Sequence, residues 1–269
     1  MKIAFFDSGI GGVSVLHRAL QVMPEEDYLY FADTDHVPYG IKTTTEVRQY
    51  VLKACDFILS QGVKALVVAC NTATSVAIND LRIRYDIPIL GMEPAVKPAV
   101  CSLSGQGEKR VLVTATPMTL RQEKLHLLLK QWDQGHVVDL LPLPRLVEFA
   151  EAGCFTGEDV NGYLQEALTP FPLEEYCTVV LGCTHFNFFK DTFHSLLSAD
   201  TRLIDGSDGT VRHLQHVLEA DGLREKGSGQ VSFYTSGRAV TAPEEQAYFH
   251  KLLSRLDHLA ALDQASEGV

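Results

Sequence analysis

At 269 residues, the chain is long enough for two domains or one large α/β unit with a well-filled core. Its 46% hydrophobic and 21% charged residues, with 20 Gly and 11 Pro, exclude the collagenous and disordered classes. A net charge of −11 opposes any sequence-independent hold on phosphate backbones, so neither a nucleic acid nor a membrane is expected as a partner.

From the amino terminus, Met1 to Phe6 is a strand-like run that Asp7 breaks far short of a signal-peptide core, so export is not expected. There is no long extension ahead of Lys2, and an effector site built from one is not expected either. Short β-branched and aromatic runs then alternate with stretches of helical period, the pattern of βαβ units and parallel sheets. The expected strands are Lys2 to Phe6, Tyr28 to Ala32, Ala65 to Ala69, Pro88 to Leu90, Arg110 to Thr114, Val137 to Leu141, Thr178 to Leu181, Arg202 to Ile204 and Val231 to Tyr234. The clearest helix opens on Thr43 and Glu46, spaced as a capping box, and continues with Val47, Tyr50, Val51, Ala54 and Ile58 on one face. The most apolar window, Ala65 to Asn79, is interrupted by Asn71, Thr72 and Thr74, which argues against a membrane span. Polar stretches at Ser102 to Lys109 and at Asp205 to Gly209 are the expected crossovers between groups of elements.

Six cysteines stand at 55, 70, 101, 154, 177 and 183 with no C-x-x-C pair, so neither a disulfide framework nor a zinc site is encoded, and reduced thiols in the cytoplasm are expected. A lone cysteine is commonly a small buried hydrophobe. Cys70 and Cys183 differ from that pattern: each directly follows an apolar strand and precedes hydroxyl, amide or imidazole side chains that have little use in a core. Val67 to Thr72 also aligns with Val180 to His185, and Asp7-Ser8 with Ala115-Thr116, as in a degenerate internal repeat of one α/β plan.

Two thiols at equivalent places in two similar halves would face each other across a cleft, about 7 Å apart if each reacting sulfur stands about 3.5 Å from a central carbon. Such a pair suits stereoinversion, in which one group removes a hydrogen on one face and the other returns one on the opposite face. At neutral pH an ordinary thiol is only about a few per cent ionised, so each sulfur needs a helper. His185 is placed to serve Cys183, and Asp7 is a candidate on the other side. The loop from Asp7 to Gly12 also has a dinucleotide-binding reading, with Gly9-x-Gly11 and Asp33 some distance on. Asp7 would oppose a pyrophosphate there, whereas a carboxylate beside exposed backbone N–H groups suits an amino acid.

Asp7-Ser8-Gly9-Ile10-Gly11-Gly12, Val37-Pro38-Tyr39-Gly40, Ala69-Cys70-Asn71-Thr72-Ala73-Thr74 and Gly182-Cys183-Thr184-His185-Phe186 resemble, in order and spacing, the glutamate racemase family. These are cofactor-independent enzymes of D-glutamate supply for peptidoglycan. The resemblance runs from Met1 to about Tyr234 and implies an α/β fold of two pseudo-symmetric domains, each a mainly parallel sheet flanked by helices. It places residues 1–98 with 208–269 in the first domain, residues 99–207 in the second, and the active site in the cleft between them. By the same resemblance Cys70 handles the hydrogen of the D-enantiomer and Cys183 that of the L-enantiomer, with Asp7 and His185 assisting. Asp7, Ser8, Pro38, Tyr39, Gly40, Cys70, Asn71, Thr72, Thr116, Thr119, Cys183, Thr184 and His185 are the implied glutamate contacts, and Asp33 and Glu151 are supporting acids.

No metal or other cofactor is expected, and a homodimer is. Two positions depart from the family pattern: Ala115 stands where Gly is usual and Leu143 where Cys is common. The competing readings are a relative acting on aspartate or another activated carbon acid, and a nonenzymatic amino-acid-binding module.

Overall fold

A computed structural model describes residues 1–103 and 109–267. Its elements follow the expected alternation. The first group comprises β1 (Lys2–Asp7), α1 (Val13–Val22), β2 (Tyr28–Ala32), α2 (Thr44–Ser60), β3 (Val63–Val68), α3 (Asn71–Arg84) and β4 (Ile89–Gly91). A second group follows: α4 (Val96–Cys101), β5 (Arg110–Ala115), α5 (Pro117–Arg121), α6 (Glu123–Trp132), β6 (Val138–Pro142), α7 (Pro144–Glu151), α8 (Glu158–Leu168), β7 (Tyr176–Leu181), α9 (Lys190–Leu196) and β8 (Arg202–Asp205). The chain ends with α10 (Ser207–Ala220), β9 (Val231–Thr235), β10 (Arg238–Ala239) and α11 (Pro243–Glu267).

Two sheets result. One has the order β10-β9-β2-β1-β3-β4, parallel except for the antiparallel β10, and the other is the parallel sheet β6-β5-β7-β8. The four strands β2-β1-β3-β4 are repeated in order by β6-β5-β7-β8. Even the shift in register recurs, at Lys2/Ile3 between β1 and β3 and at Arg110/Val111 between β5 and β7. The short sequence match at Cys70 and Cys183 is thus the visible trace of a repeated topology.

Parallel strands covered on both faces read as nearly continuous apolar runs, and Ile3 to Phe6 and Ala65 to Val68 are fully buried. Lys64 is the exception within β3; its ammonium meets Glu26 at 2.7 Å, which offsets the cost of burying either charge alone. In α2 the capping box forms, with Glu46 N–H donating to Thr43 Oγ1 at 3.3 Å and Thr43 N–H to Glu46 Oε2 at 2.9 Å. Val47, Val51, Ala54 and Ile58 are buried beneath it, and Tyr50 is half-buried.

Helix α4 already packs on the second sheet, where Val96 and Ala99 join Val111, Val113 and Val180 in one core cluster. The chain therefore crosses between the sheets ahead of α4, after β4, and not at Ser102 to Lys109; residues 104–108 of that stretch lie outside the described residues. After β8 the chain leaves the second sheet, and α10 packs against α1. All nine expected strands are present, shifted by no more than two residues at either end. The two-residue strand β10 carries too short a pattern to be read from sequence.

Candidate active site

The loops after β1, β3, β5 and β7 meet at one narrow, nearly closed cavity, the place where open parallel sheets receive ligands. Its walls are Ser8, Tyr39, Gly40, Cys70, Asn71, Thr72, Thr116, Val147, Gly182, Cys183 and His185. Both thiols are nearly closed off, with Cys70 6% and Cys183 7% exposed.

Cys70 is the N-cap of α3, and its sulfur accepts from Ala73 N–H at 3.4 Å. The thiol donates to Ser8 Oγ at 3.7 Å, and Ser8 in turn donates to Asp7 Oδ1 at 3.4 Å. Burial pushes the Cys70 thiol up, and the neighbouring Asp7 carboxylate pushes it the same way. Asp7 is itself fully buried, and burial raises its carboxyl above the ordinary aspartate range against the pull of His185 and the Gly9 N–H bond. That carboxylate also ties the halves together, with Gly9 N–H donating to Oδ1 at 3.0 Å and the Thr184 hydroxyl to Oδ2 at 3.0 Å.

Cys183 ends the loop after β7 and stands 3.7 Å from His185 Nδ1. The opposite ring nitrogen, Nε2, lies 2.6 Å from Glu151 Oε1. Burial alone would push the imidazole down, yet Cys183 and Glu151 hold it well above the usual histidine range. Glu151 Oε1 also accepts Ile10 N–H at 2.8 Å, so one carboxylate orients the histidine and pins the β1 loop.

Asn71 opens α3 with both side-chain atoms, Nδ2 and Oδ1, buried and without a hydrogen-bond partner. A buried amide in that state is costly unless a ligand completes it. Next to it the hydroxyls of Thr72, Thr116 and Thr119 form a triangle with sides of 3.0, 3.1 and 3.0 Å. Thr116 caps α5 by accepting Thr119 N–H at 3.3 Å, so Ala115 is tolerated ahead of it without loss of the turn.

Of the thirteen expected glutamate contacts, Asp7, Pro38, Thr119 and Thr184 do not line the cavity: Thr184 bonds to Asp7 and Thr119 to Thr72 and Thr116. The two supporting acids stand behind the wall. Asp33 is buried, where it accepts Tyr39 O–H at 2.6 Å and Ser236 Oγ–H at 3.1 Å and meets His36 Nδ1 at 2.8 Å, fixing the Tyr39 ring. Val147 and Gly182 complete the wall and were not expected. Gly182 carries a signal in retrospect, because a Cβ there would stand 2.6 Å from Thr114 O; Val147 reads as one more apolar residue of an amphipathic helix.

The glycines of the β1 loop also find their reason here. A Cβ on Gly9 would collide with Glu151, and one on Gly11 would lie 2.4 Å from both His185 Nδ1 and Thr184 Oγ1. They admit the other half of the molecule, which accounts for them without a dinucleotide. Among the described residues no helix is long and apolar enough to cross a membrane, and no group of three or more His, Cys, Asp or Glu could hold a metal ion.

Two repeated α/β sheets that each present a cysteine to one cleft define a racemase of the two-thiol type, and residues 9–214 match the Asp/Glu/Hydantoin racemase family model. The chain belongs to that family. It is 49% identical over 257 residues to glutamate racemase 2 of Bacillus subtilis (strain 168), spanning 96% of this chain and 97% of that one. To the glutamate racemase of Halothermothrix orenii it is 51% identical over 240 residues, spanning 88% and 94%. Glutamate racemase from Francisella tularensis in complex with D-glutamate is similar in structure, with a TM-score of 0.76 at 28% identity over 94% of this chain and 92% of that one.

Proposed function

We propose that this protein interconverts L- and D-glutamate by two-base proton transfer between Cys70 and Cys183. The observation that carries the reading is the pair of thiols in one cavity, delivered by corresponding strands of a repeated sheet and each backed by its own chain to a carboxylate. In the L-to-D direction the Cys183 thiolate takes the Cα hydrogen, leaving the electron pair on Cα, and the Cys70 thiol gives its proton to the opposite face. The reverse direction exchanges the roles.

Each thiolate forms by passing its proton along its chain: from Cys183 to His185, whose cation Glu151 stabilises, and from Cys70 through Ser8 to Asp7. Asn71 supports substrate binding, its free carbonyl oxygen suiting the α-ammonium and its free NH₂ a carboxylate. The Thr72 and Thr116 hydroxyls in the cavity wall and the backbone at Tyr39–Gly40 offer further donors. Relatives named for glutamate favour glutamate over aspartate.

The reading includes residues 1–98 with 208–269 as one domain and 99–207 as the other, supported by the two sheets and by the packing of α10 on α1. The packing of α4 favours moving the first boundary ahead of Val96. Action as a homodimer in the cytoplasm, without metal or cofactor, on the path to peptidoglycan belongs to the same reading. The test is polarimetry on purified protein with L-glutamate, run in deuterated water. Loss of rotation with deuterium at Cα supports racemisation; binding without exchange would return the protein to the class of amino-acid-binding modules, and faster turnover of aspartate would reassign the substrate.

A further inference from the structure

The backbone that aims Cys183 and His185 is a 3-10 turn, Thr184–Phe189, six residues long and buried at every position. Runs beyond three or four residues are uncommon in this geometry because its hydrogen bonds are poor, so its carbonyls depend on outside donors. At the near end, Thr184 O accepts from Asn187 Nδ2 at 3.4 Å and lies 3.4 Å from Ser14 Oγ of α1. At the far end, Phe188 O is gripped by one side chain, Arg255 of α11, through Nε at 3.0 Å and Nη2 at 2.6 Å.

The same guanidinium holds both Asp191 carboxylate oxygens at 3.0 Å and stacks 5.1 Å from the Phe155 ring. The helix that carries Arg255 packs on the first sheet's side of the molecule, against α1. Six residues earlier on α11, about 9 Å along the helix, Phe249 stacks on Phe233 of β9 at 4.4 Å and tilts against Tyr30 of β2 at 5.9 Å. The helix that rests on β2 and β9 of the first sheet therefore reaches across and holds the loop that carries the other half's thiol.

We propose that Arg255 is a positioning residue for Cys183. It sets where the second thiol stands relative to Cys70 by fixing Phe188 O to α11. This rests on the two-thiol reading above. A charge-assisted fork to one carbonyl is stiffer than either 3.4 Å contact at Thr184, and near-attack geometry loses about a hundredfold for roughly 1 Å of displacement.

The test compares wild type, Arg255→Met, Arg255→Lys and Asp191→Asn with Cα-deuterated L- and D-glutamate. Arg255→Met should lower kcat/KM about ten- to a hundredfold, equally in both directions because the enantiomers have equal energy in water. The isotope effects should diverge. Slowing the Cys183 step alone makes it limiting, so the effect on kcat/KM from deuterated L-glutamate rises. That from deuterated D-glutamate falls toward the equilibrium value. Arg255→Lys, which keeps one donor for Phe188 O, should lie between wild type and Arg255→Met, and it carries the test alone if the methionine variant does not fold. Asp191→Asn leaves the grip on Phe188 intact, so it should shift the thermal midpoint with wild-type isotope effects.

Isotope effects that stay put or move together in the Arg255 variants would overturn the inference, as would Asp191→Asn reproducing them, since Arg255 would then only dock a helix. Failure of the wild-type protein to exchange Cα hydrogen at all would remove the functional reading itself, which separates the two failures.

Discussion

The two cysteine loops descend from one plan but solve the same problem with different chemistry. Cys70 sits at the N-terminus of a 14-residue helix, and its route to a carboxylate runs through a serine hydroxyl to the fully buried Asp7. Cys183 leads into a 3-10 turn and faces an imidazole backed by the partly exposed Glu151. An anion beside a buried thiol opposes its ionisation, and Asp7 does this to Cys70; the group facing Cys183 is instead an imidazole that its neighbours hold well above its usual range. The repeated topology keeps the placement of the two sulfurs, while the groups beside them differ. The proposed mechanism accordingly gives Asp7 a narrower role than a general electrostatic aid, that of accepting the Cys70 proton through Ser8, and its raised carboxyl suits that task.

Removing either sulfur breaks the comparison outright. Cys70→Ala and Cys183→Ala should each abolish racemisation from both enantiomers, a loss of about a thousandfold or more, since a positioned acid or base is worth about 10²–10⁴ and each thiol serves as both. Circular dichroism of the folded variants and polarimetry started from L- and from D-glutamate check this; near wild-type turnover in either variant would end the two-thiol mechanism.

Replacing the helpers sharpens it. Asp7→Asn should depress kcat from D-glutamate more than from L-glutamate, by about tenfold, and His185→Asn the reverse, because each helper matters most when its own thiol is the base. The ratio of the two kcat/KM values stays fixed by equilibrium, so the asymmetry lies in kcat and KM separately. Glu151→Gln should follow His185→Asn in direction: without the carboxylate, burial pulls the imidazole down and the pH at which L-glutamate turnover is maximal shifts. Equal changes from both sides would dissolve the pairing of one helper with each thiol.

Asp7 also predicts a stability effect of opposite sign. Its carboxyl is raised by burial, so the folded protein holds that proton above the ordinary range near 3.8. Stability from this group is fully present below that range and is lost as pH rises through the raised value. Asp7→Asn removes the cost of the buried charge and should melt higher than wild type near pH 7, with the gap narrowing as pH falls toward 4. A lower midpoint at pH 7 would mean that the bonds from Gly9 and Thr184 outweigh the charge.

Much of this is legible in the sequence alone. The nine longer strands announce themselves by apolar runs, the α2 start by its capping box, and both thiols by standing where an apolar strand gives way to polar side chains. Thr184 and Thr119 are named by their motifs, yet their hydroxyls turn to Asp7 and to Thr72 and Thr116 instead of lining the cavity. Which side of a loop meets the ligand depends on how two sheets approach each other, and no local pattern records that. Val147 and Arg255 were invisible for the same reason. The first crossover was misplaced because polarity and glycine mark a surface loop, whereas the chain passes between sheets at Gly91 to Ala95, a stretch that is itself half-buried or buried.

The smallest expected effect separates the two cysteines by structure alone. Cys70 caps α3 through its sulfur, which accepts Ala73 N–H at 3.4 Å, while Cys183 makes no side-chain cap to its turn. Serine is among the best N-cap residues and alanine among the poorest, a difference of about 1 kcal/mol. Cys70→Ser should therefore melt at a higher temperature than Cys70→Ala, by about 2–4 °C for a domain of roughly 150–250 residues. No such gap should divide Cys183→Ser from Cys183→Ala. All four variants should be inactive, because a hydroxyl keeps the size of the thiol but is too weak an acid to exchange a proton with Cα. Differential scanning calorimetry on the four proteins reads the comparison directly. A gap of equal size at both positions would show that burial of the side chain, shared by both loops, outweighs the cap that only one of them has.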